Sequence, residues 1–229
     1  MAFLARRLLL ISVILMVSTN RGRCEDVKPF DNVPNWGIVV DPAGDCRFEH
    51  EDDKFTIKLP GEYRDLWPVK GKVNAPLVLQ DVEGDFTVEV KIAHLDDAEK
   101  DSRIAGLPGT ASFHAGSLLI WQDNKNFVRF DRTSMDRKGE AITSCYLHVF
   151  KDGERVAEVA QVIPDKTTQI RLSRKGDRVT AAFSQDGRKW TSLAAQKADL
   201  PPKVKVGISA LNNTVSGSTV TFQSLKIGK

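Results

Sequence analysis

The chain has 229 residues, with 33 Lys and Arg against 30 Asp and Glu, four His and three Cys. Four of the arginines (Arg6, Arg7, Arg21, Arg23) lie in the first 24 residues, which hold no acid, so the remainder carries 29 basic against 30 acidic residues. A body so close to neutrality lacks the clustered Lys and Arg that nucleic acid demands, and nucleic acid is not expected as a partner.

In chain order, Arg6 and Arg7 come first, followed by an apolar run over residues 8–17 and then Gly22, Arg23 and Cys24. Charged, apolar and small-residue regions in that order predict a secretory signal peptide over residues 1–24, cleaved near Cys24. The run is shorter than the ~20 residues of a membrane span. The mature protein is therefore expected to be secreted or periplasmic and free of the membrane, with an uncleaved anchor as the alternative. Residues 25–35 read as a linker or edge strand. Residues 36–229 then form one domain, long enough to bury a core without disulfides or metals.

Period-two alternation predicts strands over residues 46–50, 55–59, 77–80, 86–92, 117–122 and 127–132. It continues over 143–150, 155–162, 168–173, 178–184, 190–193, 204–210 and 220–227. Between them stand the turn signals Asp152-Gly153, Lys175-Gly176-Asp177 and Asp186-Gly187. Short strands with frequent tight turns predict an all-β sandwich of two antiparallel sheets. Residues 93–109, charged and ending in Gly-Leu-Pro-Gly, read as a surface excursion. Cys46 and Cys145 lie on the apolar sides of their strands. An oxidising compartment permits them to pair, and two separate buried thiols fit the positions too.

Residues 116–132 carry the most information. Two alternating runs flank the turn Asp123-Asn124-Lys125-Asn126, a hairpin signature. Pairing Asp123 with Phe127 sets Trp121 opposite Arg129 and Ile120 opposite Phe130. Leu118, Ile120, Val128 and Phe130 then face the core, and Ser117, Leu119, Trp121, Phe127, Arg129 and Asp131 share the other face. A slip of one residue would exchange the two sets.

Asn74-Ala75-Pro76 with Leu79-Gln80, residues 82–86, and Ala115-Gly116 through Trp121, Asp123, Asn126 and Arg129 resemble a bacterial and fungal group of unknown function. That group is related to the yeast regulation-of-enolase protein and adopts a concanavalin A-like lectin/glucanase jelly roll. The C-terminal accessory domain of certain β-xylosidases carries a similar hairpin. The resemblance spans residues 36–227 and implies a concave face where relatives often hold sugars. It implies no reaction. Residues 93–112 are longer and more charged than the resemblance leads one to expect. Residues 184–191 also look like the Asp-turn-Trp hairpins of sialidases and laminin-G-like domains, a structural device.

Catalysis finds little support. Glycoside hydrolysis needs two carboxyl groups roughly 5–9.5 Å apart, and the Glu-x-Asp-x-x-Glu strand of active jelly-roll glucanases is broken here, with Val88 in the third place. The acids Glu49, Glu51, Asp52 and Asp53 read as a solvated hairpin turn. His50, His94, His114 and His148 sit in no nucleophile or HExxH setting. No catalytic residue, metal or cofactor is predicted, although Asp81, Asp123 and the Asp96-Asp97 loop are places where a jelly roll could hold calcium.

The expected role is non-catalytic binding, with a polysaccharide or glycan as the ligand. Rings for stacking and paired polar groups for hydroxyls are available in Trp121, Arg129, Asp131, Tyr146 and His148, with Trp67 on a loop. Trp121 over Arg129 also fits a plain cross-strand cation–π pair, and Trp67 fits a cap on a sheet end. The alternative is an extracellular protein-interaction or structural adaptor; a glycoside hydrolase ranks below both. Oligomeric state is left open.

Overall fold

The structure is a computed structural model that describes residues 24–105, 111–165 and 167–229. The signal-peptide expectation lies outside the described residues but for Cys24. Strands and turns account for the described chain, with one 3₁₀ turn at Pro68–Lys70.

Eight strands form the sheet that carries the candidate site. Their spatial order is β13 (Glu154–Val162), β12 (Glu140–Lys151), β11 (Asn126–Arg137), β10 (Phe113–Asp123), β18 (Lys203–Asn212), β8 (Leu77–Glu83), β3 (Gly37–Val40) and β2 (Asn32–Val33). The second sheet runs β1 (Glu25–Val27), β4 (Arg47–Glu51), β5 (Lys54–Leu59), β19 (Ser218–Gly228), β9 (Phe86–Leu95), β14 (Thr168–Lys175), β15 (Arg178–Ser184) and β16 (Thr191–Ser192). Strand β17 (Gln196–Lys197) pairs with β15, and β6 (Leu66–Trp67) pairs with β7 (Lys72–Val73) in a small hairpin. Neighbours are antiparallel throughout, and the architecture is the two-sheet sandwich that alternation predicts, arranged as the jelly roll that the resemblance implies.

The core lies between the sheets. Phe48, Phe55, Ile57, Val88, Val90 and Phe222 from one sheet meet Leu118, Ile120, Val128, Phe130, Leu147 and Val149 from the other, all buried. Each comes from one face of an alternating strand, so a single pattern accounts for both sheet formation and burial. Where the two layers approach closely, a side chain is excluded: a Cβ on Gly116 would stand 2.9 Å from Val220 Cγ1.

The key hairpin differs from the predicted pairing. Asp123 pairs with Asn126, Trp121 with Phe127, Leu119 with Arg129 and Leu118 with Phe130. Asp123 explains the shift, because its Oδ1 accepts from the backbone N–H groups of Lys125 (2.7 Å) and Asn126 (2.9 Å) and tightens the turn. Beyond the bulge between Trp121 and Asp123, each expected pair moves by two in the sum of residue numbers, which preserves the faces. Leu118, Ile120, Val128 and Phe130 are core, as the alternation requires.

Cys46 and Cys145 are unpaired. Burial pushes both thiols up, away from the reactive thiolate. The acids at 49–53 form the β4–β5 turn, with Asp52 in the left-handed region at φ 51°. Asp186 caps its turn by accepting from the N–H groups of Arg188 and Lys189, and the Arg171 guanidinium lies 3.6 Å over the Trp190 ring. The aspartates considered for calcium are engaged elsewhere: Asp81 with Lys205, Asp123 in its turn, Asp96 with His94 and Asp97 with Ser134.

Candidate functional site

Across the outer face of the eight-stranded sheet, side chains fall into rows set by register. One row holds Trp121, Phe127 and Phe150, the next Leu119, Arg129, His148 and Glu158, and the third Ser117, Asp131 and Tyr146. The first row is an aromatic ladder. Phe127 stacks on Trp121 and on Phe150, each at 4.6 Å between ring centroids, and the edge of Trp67 meets Phe150 at 5.5 Å. With Leu66, Ala75, Leu77, Leu79 and Leu119 these residues form a second apolar cluster beneath the β6–β7 hairpin. That hairpin therefore seals half of the face.

The other half remains open as a cleft of about 320 Å³, at the small end of the ~300–1,000 Å³ typical of ligand sites. Trp67, Arg129, Asp131, Tyr146 and His148 all line it, so five of the six sequence candidates converge. Trp121 does not. It is 6% exposed, its ring is spent on Phe127, and it borders a separate cleft with Asp81, Glu83, Lys203 and Lys205. The expected Trp121–Arg129 contact is replaced by Trp67, whose ring centroid lies 5.7 Å from the Arg129 guanidinium and 5.0 Å from that of Arg155.

The cleft floor is a buried ionic network. Arg129 Nη1 donates to Asp65 Oδ1 (2.7 Å) and to the Leu66 carbonyl (3.0 Å). Its Nε lies 2.9 Å from Asp131 Oδ2 but is too poorly aligned to hydrogen-bond, so that contact is ionic. Asp131 Oδ1 accepts from Ser117 Oγ at 2.6 Å. Asp65 Oδ2 accepts from Tyr63 Oη at 2.7 Å and Oδ1 from the Leu66 N–H at 2.7 Å. Arg129, Asp65 and Asp131 are 4%, 4% and 2% exposed, a depth at which a charge must be paired.

Burial opposes ionisation of Asp131, but the neighbouring Arg129 guanidinium, helped by the Ser117 hydroxyl, outweighs it and holds the carboxyl below the usual range. Burial pushes His148 down from its ordinary value, reinforced by Arg129 and opposed by Asp131. A neutral ring fits its partners: Nδ1 accepts from Arg129 Nη2 at 3.4 Å, and Nε2, 3.3 Å from Glu158 Oε2, carries the proton. Tyr146 stacks on this ring at 5.8 Å and accepts from Arg137 Nη2 at 3.1 Å.

These shifts set a sign for pH dependence. Both folded-state values lie below the unfolded ones, so the unfolded chain binds more protons and stability falls on acidification. The His148 contribution declines first, below its unfolded value near ~6.5, and the Asp131 contribution follows below ~3.9. Urea midpoints are expected to fall from pH 7.5 to 5.5 and again below pH 4. Burial also pushes His114 down, so the two share the upper step; replacing His148 with Gln should shrink it, and an unchanged upper step would show that His148 does not titrate as described.

Sequence reasoning missed Tyr63, Asp65, Lys70, Arg155 and Glu158, all of which line the cleft. Asp65 had one available signal. A buried Arg129 beside a single same-face carboxylate on its own strand has further donors to satisfy, and a second acceptor had to come from elsewhere.

A family model described as Protein of unknown function (DUF1349) matches residues 47–229. No curated protein matches the chain. Among solved structures, a functionally unknown protein from Saccharomyces cerevisiae superposes with a TM-score of 0.64 at 14% identity, covering 84% of this chain and 96% of that one. A xylan β-1,4-xylosidase from Bacillus halodurans C-125 gives 0.54 at 16% identity, over 86% of this chain but 35% of the enzyme. GH43B of a Bacteroides ovatus xyloglucan locus gives 0.54 at 12%, over 95% of this chain and 41% of its own. The chain thus spans well under half the length of these two. At such identities the likeness is one of fold.

Proposed function

We propose a role from the cleft itself, because this chain belongs to the DUF1349 family and that family's description names no reaction. The protein is an exported, non-catalytic module that binds saccharide on the outer face of its eight-stranded sheet. One observation carries the reading: partly exposed rings of Trp67 and Tyr146 flank a rigid floor of Arg129, Asp131 and His148. Rings present flat faces to sugar C–H surfaces, and a pre-ordered polar floor meets hydroxyls without ordering anything at the moment of binding. The resemblance to the regulation-of-enolase group belongs to this reading and rests on the residues quoted for it above.

The same geometry argues against hydrolysis. A general acid needs a raised carboxyl pKa, whereas Asp131 is held low by Arg129. Glu158 is tied to Arg155 and His148. A panel of chromogenic glycosides is expected to show no turnover.

Affinity electrophoresis against plant, algal and bacterial polysaccharides tests the binding role. At least one glycan should retain the wild type, and Tyr146→Ala and Trp67→Ala should each weaken retention at least tenfold, or ~1.4 kcal/mol. Trp121→Ala should leave the affinity of the folded fraction unchanged. Retention of nothing, with a defined hetero-complex recovered instead, would favour the adaptor reading.

A further inference from the structure

We propose that β13 is a docking edge for a second copy of this chain, the two copies pairing antiparallel along it into one continuous sheet. The proposal stands on the fold and does not depend on what the cleft binds.

The ends of the two sheets are not alike. At β1, β2 and β16 the end strand is two or three residues long, one way in which a native sheet blunts an edge that could template another chain. Strand β13 instead ends the eight-stranded sheet with nine residues. It pairs with β12 on one side and, among the described residues, with no strand on the other. Its start is occupied, with Arg155 over the Trp67 ring and paired with Glu158. The rest is open. Residues 159–162 carry no charge, and Val156 and Val162 are 56% and 64% exposed. A long edge with apolar side chains facing water is a surface for strand pairing.

The side chains of the strand select the partner and the register. Two copies related by a two-fold axis normal to the sheet keep their outer faces on one side, and one residue then faces its own copy at the axis. With Glu158 at the axis, two carboxylates would stand directly opposite each other, which is destabilising. With Ala160 there, Val156 would fall opposite Pro164, which cannot donate to a ladder. With Val159 at the axis, Val156 pairs with Val162, Ala157 with Gln161 and Glu158 with Ala160. Apolar groups then meet, and no like charges are directly opposed. Ala157 and Val159 already pack against the core partly buried, and this register continues their layer across the axis. A strand that complements itself in this way fits a second copy of the chain. The two β12 strands would stand three strand spacings, about 14 Å, apart, with both clefts opening on the same face.

Sedimentation equilibrium of the protein over a concentration series tests the pairing. The expected result is a reversible equilibrium between one chain and two, at the weak end for a contact of a single strand. Ala160 is exposed, so its substitution should leave the fold intact, which equal melting temperatures in dilute solution would check. Ala160→Glu sets a carboxylate opposite Glu158 of the second copy at two symmetric places and should weaken association about tenfold. Ala160→Lys sets a cation at the same places and should preserve or strengthen it. A single-chain mass at every concentration up to ~1 mM would overturn the proposal and leave the edge to a strand of a different protein. A dimer as strong in Ala160→Glu as in the wild type, or one that both variants weaken alike, would overturn it by placing the contact elsewhere. Saccharide retained by a protein that stays a single chain would leave the role of the cleft standing.

Discussion

Replacing Arg129 with Leu is expected to destabilise the protein by ~3–5 kcal/mol at pH 7, because the change strips the cation from a buried cluster and leaves its carboxylates behind. At roughly 2–4 °C per kcal/mol for a domain of this size, the melting temperature should fall by about 6–20 °C. Arg129 joins β11 to the segment before β6 through Asp65 and the Leu66 carbonyl, so the loss also loosens the cover over the sheet. The sign of the pH response separates this account from simple loss of packing. In the wild type Arg129 is the first of the groups that lower Asp131 against its burial. Without it, burial dominates, the folded-state carboxyl moves up, and the folded variant takes up protons that the unfolded chain has already released. The deficit should therefore shrink as pH falls toward 4.5. Urea midpoints of both proteins at pH 7 and 4.5 supply the measurement. A deficit below ~1 kcal/mol, or one equal at both pH values, would mean that the network contributes no more than an exposed ion pair.

Much of the fold could be read from alternation because a strand with one buried face writes its period directly into the chain. The residues of β10 and β11 show how robust that reading is. An error of one pairing step changes every cross-strand partner, yet it returns Leu118, Ile120, Val128 and Phe130 to the same core face, since parity and not pairing decides burial. What failed was the inference from facing away to meeting water. Leu119, Trp121, Phe127 and Phe150 share the outward face and are all buried, because the β6–β7 hairpin lies over them. Four large apolar groups on a supposedly wet face were the available signal for such a cover. The cover itself was illegible. Its strands are two residues each, too short to show any period, and its decisive member, Asp65, acts across a distance of 64 positions. The same reasoning separates the candidates: Tyr146 and Trp67 keep part of their rings exposed beside the cleft, whereas Trp121 is buried against Phe127.

Replacing Phe127 with Ala is expected to give the second large effect, again ~3–5 kcal/mol for a fully buried ring whose neighbours cannot collapse. Phe127 is the central rung of the ladder, held at 4.6 Å by Trp121 on one side and Phe150 on the other, with interplanar angles of 30° and 26°. Its removal breaks two stacked pairs, each worth ~0.5–1.5 kcal/mol beyond area, while Trp121→Ala breaks one. Thermal unfolding should order the variants wild type, Trp121→Ala, Phe127→Ala. The position of the rung adds a functional consequence. Phe150, freed on one face, is the ring on which Trp67 rests edge-on, so Phe127→Ala should lower the affinity of the cleft even in the folded fraction, without any side chain that meets the ligand having changed. Trp121, one rung further from Trp67, should not. Two variants on one ladder thus separate a residue that only seals the sheet from one that also sets the wall of the site. Equal affinities in both would show that the wall at Trp67 stands on Arg155 and His148 alone.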